Sequence, residues 1–348
     1  METILSAQGR QQAFPIGEPS AIAAARRAAC DLARELGFGE TVTGRVAIVL
    51  TEAGTNILKY ANRGEILLRK AYRFDGAAGI EILAIDAGPG MTHLTGSMKD
   101  GVSTAGSYGI GLGTMQRLAD QFDIHTDPDR GTVICLCFWG APDAALAMWC
   151  DVGVVCLPIA TETRCGDAWA VGCDSQAMTL LLADGLGHGP LAAAASEAAA
   201  MLLTGDAGGS PARLLQNANQ ALQGARGAAV SVVRVDRQAG KLTFAGLGNV
   251  AACVRHRGQT QHLVPQDGIV GSAMRRLQEF SAPWSDAMLL VMYTDGLRSR
   301  WDFSDYPGLE LLCPALVAAV LYRDCRRGSD DVTVLVCREQ RGERLKVR

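Results

Sequence analysis

From Ser20 to Leu36 apolar residues return every three or four positions. Ser20 stands where an N-cap hydroxyl belongs, and Gly37 and Gly39 close the run, so a helix is predicted over 20–36. A second stripe, Val46, Ala47, Val49, Leu50, Ala53, Ile57, Leu58 and Ala61, predicts a helix over 42–61, with Glu52, Asn56 and Lys59 interleaved. Strand-like runs follow at 65–74 and 79–86, and a glycine-rich stretch from Gly106 to Gly113 opens a short helix at 114–119. Residues 139–148 interrupt the pattern and read as a linker.

Beyond the linker the chain is strand-rich. Strands are predicted at 151–158, at 166–171 and in the apolar run that ends at Asp184; helices follow at 190–204, with Pro190 suited to the first turn, and at 211–222. Further strands are expected at 228–236 and 241–248 around a turn at 238–240, then at 249–256, 287–293 and 334–337. The segment from Trp301 to Tyr306 reads as a loop or helix cap. The expected organisation is a domain at 1–140, a linker at 141–150, a domain at 151–340 and a basic tail at 341–348.

Composition narrows the class. A chain of 348 residues, 48% hydrophobic and 20% charged, is globular and long enough for two cores. Its net charge of −3 and lack of a DNA-binding motif argue against a nucleic-acid partner. Neither a secretory leader nor a membrane-length apolar run is visible, so no membrane partner and a cytoplasmic location are expected. The 11 cysteines are scattered and form no CxxC pair, which suits small buried hydrophobes in a reducing compartment better than a zinc site.

In the first half, Glu52 and Asn56 are four residues apart and share one helix face. Asp86-Ala87-Gly88-Pro89-Gly90 puts a carboxylate at a strand end beside glycines that let a ligand approach closely, and Gly109, Gly111 and Gly113 precede a helix N-terminus whose free amides favour phosphate. In this order and spacing the set resembles the ATP-binding boxes of the GHKL superfamily, and more narrowly the RsbT-type anti-sigma-factor serine kinases. Met98 to Thr104 adds to that likeness. The resemblance implies an α/β GHKL (Bergerat) sandwich in which Asn56 holds Mg²⁺ against ATP, Asp86 binds the adenine amine, and the glycine loop folds over the phosphates. It also implies that Glu52 is the general base toward a partner's serine. These are the parts that phosphoryl transfer needs.

In the second half Asp167, Asp184, Asp295 and Asp330 all stand at strand edges. Four carboxylates in one cluster repel one another unless cations lie between them, and an all-oxygen set suits Mg²⁺ or Mn²⁺. Gly166-Asp167, Asp184-Gly185-x-Gly187-His188-Gly189, Thr294-Asp295-Gly296 and Asp330-Asp331-Val332-Thr333 resemble the motifs of PPM-type metal-dependent phosphatases, in the SpoIIE/RsbX branch. The resemblance implies an α+β phosphatase sandwich flanked by helices. It implies two Mn²⁺ or Mg²⁺, bridged by Asp184 and bound by the Gly185 carbonyl, Asp295 and Asp330, with Asp167 acting directly or through water. A metal-activated water would then attack the phosphate.

Two residues separate His188 from the Asp-Gly pair, where better-known relatives place a histidine directly after it, and no arginine upstream of Asp167 matches the phosphate clamp of eukaryotic relatives. Sequence alone does not separate Asp330 from Asp331. The combined expectation is a phosphatase acting on a phosphorylated STAS-domain protein in a partner-switching pathway. The first domain is either a kinase for the same partner or a nucleotide-gated docking module, and a homodimer through that domain is plausible.

Overall fold

The computed structural model describes residues 3–6, 11–91, 111–206, 208–273 and 276–340. Two compact units emerge. One comprises Met1–Gln8, Ala144–Pro314 and Cys325–Arg348, and the other comprises Gly9–Asp143 and Ala315–Asp324. The chain thus opens with a strand of the C-terminal unit, β1 (Thr3–Ser6), before the N-terminal unit begins at β2 (Gln12–Ile16).

The N-terminal unit continues with α1 (Pro19–Glu35), α2 (Glu40–Asn56), β3 (Gly64–Tyr72), β4 (Ala78–Asp86), α3 (Gly111–Leu118), β5 (Gln121–Asp127) and β6 (Gly131–Trp139). Its antiparallel sheet runs β2-β3-β4-β6-β5. Alternate residues of three strands, among them Ile66, Leu68, Ile82, Ala84, Leu136 and Phe138, form one core with the apolar stripes of α1 and α2. The opposite parity is buried as well: Arg69 and Glu81, register partners on β3 and β4, form a two-pronged ion pair of 2.6 and 2.9 Å. That is why these strands read as continuous apolar runs rather than clean alternations.

Two local expectations are corrected. The N-cap of α1 is Glu18, not Ser20, whose hydroxyl instead donates to the Glu18 carboxylate. Pro19 at the first helical position supplies the preset φ that starts the helix, so no hydroxyl cap is needed there. The second helix does not run unbroken to Ala61: α-geometry stops at Asn56 and a π-helical turn takes Ile57–Ala61.

The C-terminal unit contains β7 (Cys150–Leu157), β8 (Asp167–Cys173), β9 (Ala177–Gly185), α4 (Pro190–Met201), α5 (Leu203–Asp206), α6 (Pro211–Ala221), β10 (Ala228–Asp236), β11 (Lys241–Leu247), β12 (Ala251–His256), β13 (Gln259–Leu263), β14 (Phe280–Pro283) and β15 (Leu289–Tyr293). It ends on β16 (Val332–Glu339). A six-stranded antiparallel sheet, β1-β8-β9-β10-β11-β14, lies beside a five-stranded one, β13-β12-β15-β16-β7. Met178 on β9 meets Cys150 on β7 at 2.9 Å and Cys337 on β16 at 3.5 Å, so the sheets are stacked face to face. The outer face of the larger sheet packs Ala168, Ala170, Leu181 and Ala183 against Ala195 and Ala199 of α4 and Leu214 and Leu215 of α6. All eleven cysteines are free thiols.

The remaining helix, α7 (Pro314–Cys325), has no counterpart in the sequence pattern. Every residue from Ala315 to Tyr322 is buried, so no polar face marks its period. Its residues Ala315–Asp324 belong to the N-terminal unit, where the Tyr322 hydroxyl donates to Glu65 Oε2 at 3.1 Å and Arg130 lies 4.0 Å from Asp324. Among the described residues no helix is long and apolar enough to cross a membrane.

Candidate functional site

In the N-terminal unit, α2 carries Glu52 and Asn56 on one face, both half-buried. Gly111, at the start of α3, packs against them: a Cβ there would stand 3.1 Å from Glu52 Oε2 and 3.5 Å from the Asn56 amide. Glycine at this position therefore keeps open the space between the helix N-terminus and the two polar side chains. Gly113 is buried in the first turn of α3, while Gly109 and the rest of the loop to Ile110, with Met98 to Thr104, lie outside the described residues.

Asp86 ends β4 in the same unit. Its Oδ1 accepts the backbone N–H groups of Gly88 (2.9 Å) and Thr132 (3.2 Å), and no described residue bonds Oδ2. Burial raises its carboxyl above the ordinary range, opposed by those two donors and by the nearby Arg323. Gly88 packs on the π-helical turn, where a Cβ would come within 2.7 Å of Ala61 Cβ, and Gly90 adopts φ +63 against the Asp127 carbonyl. The π turn is the chain segment that links Asn56 to the Asp86 corner, and such turns recur at functional sites.

The C-terminal unit gathers its acids where the two sheets meet. Asp167 and Asp184 are direct register partners on β8 and β9; Asp295 follows β15, and Asp330 and Asp331 precede β16, the strand paired with β15. Thr294 holds the junction. Its hydroxyl donates to Asp167 Oδ2 at 2.8 Å and accepts the Thr333 N–H at 2.9 Å, which ties the six-stranded sheet to the five-stranded one at the acids.

Burial, then the charges of Asp295, Asp330 and Asp331, push the Asp184 carboxyl up to about 7. Asp167, only 3% exposed, is pushed well above the carboxylate range by burial and then by Asp184. Asp295 is raised by burial and Asp330, with Arg327 and a 2.7 Å hydrogen bond from Asn249 Nδ2 pulling the other way. Gly185 closes the arrangement, because a Cβ there would fall 2.1 Å from the Ala192 carbonyl oxygen at the start of α4. Oxygen donors crowded with so little positive charge fit divalent cations, although among the described residues no three His, Cys, Asp or Glu side chains form a ready group that could hold one.

Geometry separates the two adjacent aspartates. Asp331 spends both carboxylate oxygens on backbone donors, Ile159 N–H and Gly166 N–H, each at 2.8 Å, and so clamps both ends of the 159–166 loop. Asp330 accepts only the Asp331 N–H, at 2.9 Å. His188 is drawn aside by Glu162, with Nδ1 2.8 Å from Oε1 and the ring 57% exposed. Asn249 has a part in the site that no sequence signal marks; Thr294 and Thr333 lie within the quoted motifs without a role of their own, and Asp331 was left open beside Asp330.

The comparisons with known proteins follow the same division. Residues 17–138 match the histidine kinase-like ATPase domain, and residues 174–340 match Stage II sporulation protein E (SpoIIE). The chain is 36% identical over 118 residues to the serine/threonine-protein kinase RsbT of Bacillus subtilis (strain 168), a stretch that covers 34% of this chain and 88% of RsbT. It is 26% identical over 137 residues to the phosphoserine phosphatase RsbX of the same organism, covering 39% of this chain and 69% of RsbX. A solved structure described as "The bacterial stressosome: a modular system that has been adapted to control secondary messenger signaling" superposes with a TM-score of 0.50 at 26% identity, over 54% of this chain and 99% of the other. The chain therefore belongs, through its first half, to the family of the RsbT kinase with a histidine kinase-like ATPase domain, and joins to it a PPM-type phosphatase domain of the SpoIIE kind.

Proposed function

We propose that the C-terminal unit is a divalent-metal-dependent phosphatase for phosphoserine or phosphothreonine on a STAS-domain protein, within a cytoplasmic partner-switching pathway, and that the N-terminal unit binds ATP with Mg²⁺. The observation that carries the phosphatase reading is the convergence of Asp167, Asp184, Asp295 and Asp330 at one junction of two sheets, with the charge on Asp184 strained upward by its neighbours. Asp184, the Gly185 carbonyl, Asp295 and Asp330 would hold two Mn²⁺ or Mg²⁺, with Asp167 acting directly or through water. When bound, such a pair supplies an activated water and charge neutralisation for in-line displacement at phosphorus.

The chain's own residues do the rest. Thr294 and Asn249 fix the rotamers of Asp167 and Asp295, and Asp331 fixes the loop that delivers Gly166 and Asp167. Their hydrogen bonds aim those carboxylates and oppose, without cancelling, the upward push of burial. The decisive experiment incubates the protein with Mn²⁺ and a phosphorylated STAS-domain partner. Phosphate release that is lost in Asp184→Asn supports the assignment; release that survives the substitution overturns it.

A second reading rests on Glu52, Asn56 and Gly111 standing together at a helix N-terminus. In that reading Glu52 takes the proton of a partner's serine hydroxyl as phosphate moves from ATP, which would make the chain both kinase and phosphatase for one partner. Transfer of labelled γ-phosphate that fails in Glu52→Gln would support it. ATP binding without any transfer would leave the first unit as a nucleotide-gated docking module.

A further inference from the structure

A phosphoryl dianion approaching a cluster of carboxylates needs a cation besides the metals, and the upstream position that could have supplied one is committed. Arg164, three residues before Asp167, is held by Glu197 with two contacts of 2.9 and 2.8 Å.

Arg226 lies in the loop between α6 and β10, and that loop is tied to the Asp184 corner. The Leu186 N–H donates to the Gly227 carbonyl at 2.9 Å, and the register of β10 on β9 continues directly as Ala228 opposite Gly185 and Ala229 opposite Asp184. The Arg226 guanidinium is the side chain nearest to Gly187: a Cβ on Gly187 would stand 3.5 Å from Nη1 and 3.9 Å from Cζ. Gly187 itself has φ +78, so any larger residue would be strained there as well as crowded against that guanidinium.

Arg226 is exposed, and among the described residues it has neither a hydrogen bond nor an ion pair. An uncommitted guanidinium standing beside the Gly185–Gly189 turn is a planar fork of donors, suited to two oxygens of a phosphoryl group.

Resting on the phosphatase reading, we propose that Arg226 grips the phosphoryl group of the substrate at this site. It binds the non-reacting oxygens and transfers no proton. Its contribution belongs to substrate and product-phosphate affinity more than to the chemical step.

The test measures steady-state kinetics on a phosphoserine peptide with Mn²⁺, together with inhibition by inorganic phosphate, for wild type, Arg226→Ala and Arg226→Lys. Arg226→Ala should raise KM and the phosphate inhibition constant about tenfold or more while kcat moves less than about threefold, and the lysine variant should recover part of the loss. Mn²⁺ affinity measured by titration without substrate, and the thermal midpoint, should be those of wild type, because an exposed and unpaired side chain is removed. An active wild type whose KM and phosphate inhibition are unchanged in Arg226→Ala overturns the role of Arg226. An inactive wild type overturns the phosphatase reading itself and this inference with it.

Discussion

Asp86 and Asp184 each end a strand in the middle of an antiparallel sheet, each beside glycines, yet their surroundings differ in kind. Asp86 stands apart from other acids, and one of its oxygens is saturated by two backbone donors while the other is free of any described residue. Asp184 has three aspartates within electrostatic reach, and its carboxyl rises to about 7. A half-buried carboxylate raised by burial and opposed by two N–H donors keeps its second oxygen open to one more hydrogen bond, as an exocyclic amine would offer. One crowded by like charges is built to be neutralised by cations. The same Asp-and-glycine wording in the sequence thus stands in two different surroundings, and on the proposed reading the neighbours, not the motif, decide the chemistry.

The largest expected effect falls on the crowded site. On the proposed reading Asp184→Asn should lower phosphatase turnover by about a thousandfold or more, since activation of water by a bound metal pair would be worth several kcal/mol. ATP affinity should not change. A variant that lost both functions equally would break the contrast between the two carboxylates. The braced site is probed by Asp86→Asn, which keeps an oxygen for Gly88 and Thr132 but turns an amide N–H₂ toward the adenine that the proposed reading places there. ATP affinity, read by calorimetric titration, should fall about 10- to 100-fold, the worth of one hydrogen bond to a charged group. Phosphatase metal affinity should stay as it is.

Much of this contrast is legible in the sequence itself. The strand ends at Asp86, Asp184 and Asp295 are visible because each follows an apolar run and has glycine close behind it, a local signal of chain geometry. What stays hidden is non-local. Nothing near Asn249 indicates that it meets Asp295, because that contact is made by folding two distant strands into one sheet. Helix α7 is invisible for the opposite reason, being apolar on every side and so without a period. The end of α2 is misplaced because its hydrophobic stripe continues through the π turn at Ile57–Ala61, and only the hydrogen-bond pattern changes there.

The adjacent pair Asp330 and Asp331 sharpens the comparison inside one site, since it sets a braced carboxylate beside a crowded one. Asp331→Ala strips one buried and one half-buried backbone donor of their partner and should cost about 2–5 kcal/mol, seen as a fall in the thermal midpoint of roughly 5–15 °C. Asp330→Ala removes a repulsive charge instead, so without added metal the midpoint should hold within about 1 kcal/mol or rise. Its loss should appear in Mn²⁺ titration. If the two variants behaved alike, the division of labour between them would be wrong.

The smallest effect is expected at the most conspicuous residue of the motif. A general acid at His188 would have to reach the leaving oxygen, and its removal would cost roughly 10²–10⁴ in rate together with the basic limb of the pH profile. The geometry assigns it a lesser part: its Nδ1 is taken by Glu162 and its ring is mostly in solvent. An exposed pair of this kind contributes at most about 1 kcal/mol. His188→Ala should therefore leave turnover within about threefold, the pH profile unmoved and the thermal midpoint nearly unchanged. A collapse of turnover with the fold intact would move His188 into the chemistry and require the Glu162 contact to break when substrate binds.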